Sequence, residues 1–180
     1  LRNLTATEEN AERVVRAGGV EKVVAMMRRH HDSTSVQQEG CSALQNLLRN
    51  PRHAERVASA GGVEAVVAAM RSHPSNVDVQ LQACAALTVF SRTPEDVAHV
   101  AALGGVEAVR AALRGHPGSS DVQRSACEAL QKLSVDAQGA AEVGAGDCVE
   151  VVLAAMQKHS MKAKLLRDAC GLLRNIAQVK

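Results

Sequence analysis

A chain of 180 residues with 46% hydrophobic and 22% charged side chains is long enough for one domain or a short repeat array, and too apolar to stay unfolded. One Phe and no Tyr or Trp leave the core to Ala, Val, Leu and Met, which favours close-packed helices over a sheet sandwich. The formal charge of +2 gives no case for nucleic acid, and no apolar run reaches the ~18–20 residues that span a bilayer.

Residues 1–6 form an incomplete element. Leu1, Asn3 and Leu4 match Leu44, Asn46 and Leu47, which lie 43 residues later. They are expected to end the third helix of an earlier unit, which makes the chain a piece of a longer array. The first full unit, 7–49, opens on Thr7 as an N-cap, and a short first helix runs to Gly18-Gly19. Glu21 complements the dipole in the first turn of a second helix that closes at His30. Ser33 caps a third helix on which Val36, Cys41, Leu44 and Leu47 share one face.

The next units repeat this order. In 50–92, Asn50 caps with Pro51 at the tolerated next position; Gly61-Gly62-Val63-Glu64 opens a second helix ending at His73, and Asn76 and Asp78 start the third. In 93–135 the same places hold Thr93-Pro94, Gly104-Gly105-Val106-Glu107, His116, Ser119 and Asp121. In 136–180 they hold Asp136, then Gly146-Asp147-Cys148-Val149-Glu150 with the glycine displaced by one, and His159. Ladders at Cys41, Cys84, Cys127 and Cys170 and at Leu44, Leu87, Leu130 and Leu173 keep the period of 43. A repeated unit of this length is the signature of a helical solenoid.

The ladders themselves offer little chemistry. Packed helices lie ~8–10 Å apart, too far for disulfides between equivalent cysteines of adjacent units, so the cysteines are expected to be small buried hydrophobes in a reducing compartment. The histidines are expected to donate to the last carbonyls of their own helices; one per unit cannot converge on a metal. No phosphate loop, nucleophile elbow or metalloprotease motif is present, so the expectation is no catalysis, no cofactor and no metal.

The pattern Val-Gln-x-x-x-Cys-x-x-Leu-x-Asn-Leu, Val36 through Leu47, resembles the armadillo family and is echoed from Val79-Gln80 to Leu87 and from Val122-Gln123 to Leu130. The resemblance covers the whole chain. It implies an all-α, right-handed α-solenoid of three-helix repeats, cytoplasmic or nuclear, holding an extended segment of a partner protein in a concave groove lined by third helices. Importin alpha does so with Trp and Asn on helix three. The Trp positions fall here on Ser42, Ala85, Glu128 and Gly171, and the Asn positions on Asn46, Val89, Lys132 and Asn175. With no Trp to wall the groove, nuclear-signal recognition is not expected. Gln38, Arg49, Arg92, Arg124, Gln131, Arg167 and Arg174 make the surface polar and lightly basic, interrupted by Glu39, Glu128 and Asp168. A solvated helix face accounts for these residues as well as a groove for a polar or acidic segment does. The alternative is a structural subunit of a cytoskeletal or ciliary assembly that uses its ends and convex faces. An RNA- or DNA-binding solenoid is disfavoured by the lack of aromatics for stacking.

Overall fold

The computed structural model describes residues 8–178, and among them every regular element is helical. Helices α1 (Glu8–Arg16), α2 (Gly19–Arg29) and α3 (Thr34–Leu48) form the first repeat. A 3-10 turn (Pro51–His53), α4 (Ala54–Ser59), α5 (Gly62–Ser72) and α6 (Val77–Phe90) form the second. The third contains α7 (Pro94–Ala102), α8 (Gly105–Gly115) and α9 (Ser120–Leu133), and the fourth α10 (Ala137–Gly144), α11 (Cys148–Lys158) and α12 (Ala163–Ala177). The helices group into two compact bodies, one ending at Phe90 and the other beginning at Ser91. In the first, α3 packs along α6 and α2 against α3 and α5; in the second, α9 packs along α12 and α8 against α9. The expected tail at 1–6 and the Thr7 cap lie outside the described residues.

Caps explain where the helices start. Thr93 and Asp96 form a reciprocal capping box, the Thr93 hydroxyl accepting from the Asp96 N–H at 3.2 Å and the Asp96 carboxylate from the Thr93 N–H at 3.1 Å. Asp136 accepts from the Gly139 N–H at 2.7 Å, and Asn76 from the Val79 N–H at 2.8 Å. Two expectations need correction. Asn50 caps the 3-10 turn through the Arg52 N–H at 3.1 Å, so the first helix of this repeat is broken rather than continuous. Ser33 begins α3 without capping it; its hydroxyl pairs with that of Ser35 at 3.2 Å.

The glycine turns explain where the first helices stop. Gly61 sits at φ 78°, in the left-handed region that L side chains disfavour, and a Cβ there would also run into the Arg28 guanidinium. Gly62 is needed for a different reason: its Cβ would lie 2.9 Å from the Val57 carbonyl oxygen. In the fourth repeat Gly146 takes the left-handed turn and Asp147 follows as an extra residue, so α11 still begins 43 residues after α8.

The core is the apolar ladder. Leu44, Leu87 and Leu130 are fully buried with Cys41, Cys84 and Cys127, each leucine contributing about 2 kcal/mol of burial. The fourth rung differs: Cys170 is exposed and Leu173 half-buried, against the expectation that the cysteine ladder is buried throughout. Glutamines fasten helix two to helix three. The side-chain N–H groups of Gln80 donate to the carbonyls of Met70 (2.9 Å) and His73 (3.0 Å), the last turn of α5. Gln37 does the same to Met27 and His30, and Gln123 to Leu113 and His116; all three are at most 2% exposed. The fourth repeat has Leu166 at this position. The histidines do cap helix two, but through backbone N–H groups. Their side chains behave otherwise than expected: the Nε2 of His73 meets the carbonyl of His31 at 2.7 Å and that of His159 the carbonyl of Pro117 at 3.0 Å, each one repeat back.

Candidate functional site

Most of the residues expected to face a partner stand on third helices, body by body. In the first, α3 and α6 carry Gln38, Ser42 and Asn46 beside Ala85 and Val89 at matching register. Ser42 is buried, and Gln38, Asn46, Ala85 and Val89 are half-buried. Asn46 and the exposed Arg49 both have partners already. Gln45 and Thr88 complete these rows; they share a register with Gln131 and Arg174, which could have marked them in the sequence.

In the second body α9 and α12 carry Arg124, Glu128 and Lys132 beside Arg167, Gly171, Arg174 and Asn175. Arg124 pairs with Glu128 one turn on, at 3.1 Å. Gly171 leaves room for the Gln131 amide, which any Cβ would displace. Asn175 donates to the Gln131 carbonyl and to the Ser134 hydroxyl, both at 3.2 Å, so its amide N–H groups tie α12 to the end of α9. Arg167 is directed by the buried Asp168 at 2.8 Å, whose second carboxylate oxygen has no partner. Exposed Arg92, in the segment before α7, has partners of its own.

Outer charges are used differently. The guanidinium of Arg56 in α4 reaches back one repeat to Glu21 at 2.8 and 3.3 Å, and this hydrogen bond is the first cause holding the Glu21 carboxyl below its ordinary value. Glu107 binds Arg110 at 2.6 Å and also Arg114, while Arg114 reaches forward to Asp147 at 2.7 Å. The glutamates were expected only to complement helix dipoles; the bridging arginines Arg56 and Arg114 stand at different places in the 43-residue period, so no ladder in the sequence marks them.

The buried thiols of Cys41, Cys127 and Cys148 are not poised as nucleophiles. Burial pushes Cys41 and Cys127 up to about 12 and Cys148 to about 11. Among the described residues no group of three or more His, Cys, Asp or Glu is placed to hold a metal ion, and no helix is long and apolar enough to cross a membrane.

Comparison with known proteins gives the family. The model described as LRRK2 ARM repeat matches residues 1–101 and 61–180. Two engineered proteins solved by crystallography are similar in structure. One has a TM-score of 0.86 at 26% identity, with 97% of this chain and 71% of that one covered. The other has 0.83 at 28%, with 100% and 43% covered. A designed armadillo repeat protein in complex with the peptide (KR)4 has a TM-score of 0.82 at 16% identity, covering 97% and 72%, and supports the fold alone. No curated protein matches. With the family model spanning both bodies and the three-helix repeats in place, the chain belongs to the armadillo repeat family.

Proposed function

We propose that this chain is a non-catalytic scaffold that holds a segment of a partner protein along the solvent faces of its third helices. The observation carrying this reading is the contrast on α3 and α9 between a buried Cys–Leu face and an outer row of long polar side chains, Gln38 and Gln45 on the one and Arg124, Gln131 and Lys132 on the other. The designed relative in complex with (KR)4 shows that such a fold can hold a peptide. That peptide is basic, whereas the third helices here carry Arg124, Lys132, Arg167 and Arg174, so a polar or acidic segment suits them better. Unpaired thiols fit the cytoplasm or the nucleus.

The second reading, a structural subunit using convex faces, draws on Met26 and Leu153, apolar side chains exposed on second helices. Against it, several convex charges are already paired between repeats. Photo-crosslinkers at Gln38 and Lys132 on third helices, and at Lys22 and Leu153 on second helices, separate the two in a captured complex. Partner adducts at Gln38 or Lys132 are expected; adducts confined to Lys22 and Leu153 would sink the first reading.

A further inference from the structure

The start of α12 departs from the capped, acidic starts of α6 and α9. Helix three is preceded by Ser33, Asn76 and Ser119 in the first three repeats but by Lys162 in the fourth. Two positions on, Ser35, Asp78 and Asp121 give way to Lys164. Lys162 makes no side-chain cap, and the first turn of α12 holds no acidic residue. Cations at a helix N-terminus oppose the macrodipole, so this start is less stable than those of α6 and α9. Along the same helix, Arg174 stands where the others have Gln45, Thr88 and Gln131, and Arg167 where they have Gln38, Leu81 and Arg124. A local rule broken with no return inside the fold marks a surface selected for something outside it.

The lysines do not stand alone. They line an open cleft of about 510 Å³ whose other wall is Ser120, Asp121 and Arg124 at the start of α9. Arg124 shares its charge with Glu128, and Arg167 with Asp168, so the face stays cationic after its own acids are counted. Met161 lies at the rim, 92% exposed.

We propose that the α9–α12 face docks an acidic segment of a partner protein, with carboxylates seated in the cleft between Lys162, Lys164 and Arg124. This rests on the third-helix reading above and names the chemistry of its partner. A nucleic acid is the poorer fit: the one aromatic residue, Phe90, is buried, which leaves nothing for bases to stack on.

The test is fluorescence anisotropy with the full 180-residue chain and a labelled peptide of eight glutamates spaced by Gly and Ser. A Gly-Ser peptide and a single-stranded DNA of equal charge serve as comparators. The Glu peptide binds, more weakly as salt rises. The double variant Lys162→Ser, Lys164→Asp weakens binding about tenfold, yet melts at a higher temperature than the parent, because the two changes supply the cap and first-turn acid that Ser119 and Asp121 give α9. Opposite movement of affinity and stability is a result that mere damage to the fold does not produce. The proposal is overturned if the parent ignores the Glu peptide, if the variant binds it equally well, or if DNA binds more tightly. Any of these, alongside partner adducts on third helices, leaves the scaffold reading standing; adducts confined to second helices remove both.

Discussion

His53 shows how a single side chain can be over-determined. It is 3% exposed, its Nδ1 facing the Leu47 carbonyl at 3.0 Å and its Nε2 the Glu12 carboxylate at 3.1 Å. Both partner atoms are oxygens that accept. In return Glu12 is held below its ordinary value of 4.5, first by the hydrogen bond from His53, against the opposing pull of burial, and then by Arg16. A carboxyl depressed in the folded state stabilises it in full above the unfolded value and loses that contribution as pH falls through the folded one. Glu12→Gln is therefore expected to be less stable than the parent at pH 6, with the gap closing below pH 4.5 in urea titrations; a gap of constant size would refute the pairing. Gln80→Leu tests the glutamine clasp. It takes the donor from the buried Met70 carbonyl, while the His73 carbonyl keeps the Asn76 N–H, and should cost about 1–3 kcal/mol in the same assay, although the fourth repeat lives with Leu166 at that position.

Elements were legible in the sequence to the extent that their causes are local. The glycine turns, the Thr93 box and the apolar face of each third helix depend on neighbours a few residues away, and they stand where the 43-residue period put them. What escaped depends on packing. The Val-Gln signature was visible, but the carbonyls that Gln80 binds converge only once α5 and α6 have met. Likewise the His73 side chain looks one repeat back, a partner no window of sequence contains. Among the candidate groove residues, Ser42 is buried and Asn175 serves the end of α9, because register alone does not say how far one helix sinks against the next. Glycine offers a paired test at this scale. Gly62→Ala forces the backbone of Val57 to move and should cost about 1–3 kcal/mol. Gly118→Ala meets open space and should be neutral or gain about 0.5 kcal/mol. Melting temperatures that move together would contradict this picture of the turns.

Across the molecule, burial sorts the five cysteines into two kinds. Cys41, Cys84, Cys127 and Cys148 are buried and Cys170 is exposed. An aromatic disulfide reagent at pH 8 should titrate one thiol in the native protein and all five in denaturant; two or more fast native thiols would mean that the ladder is looser than described. The ionic pattern divides in the same way. Arg56 and Arg114, on first and second helices, bind neighbouring repeats, while Arg167 on α12 pairs within its own helix, with Asp168.

The imidazoles that reach back from one loop to the previous one have a mechanical consequence. Since His73 grips His31, and His159 grips Pro117, tension drawn along the backbone meets a latch at each of these seams before it reaches the apolar layers. Within either body one such hydrogen bond joins loops a repeat apart, so it must part before the intervening chain, about 150 Å of contour, can be drawn out.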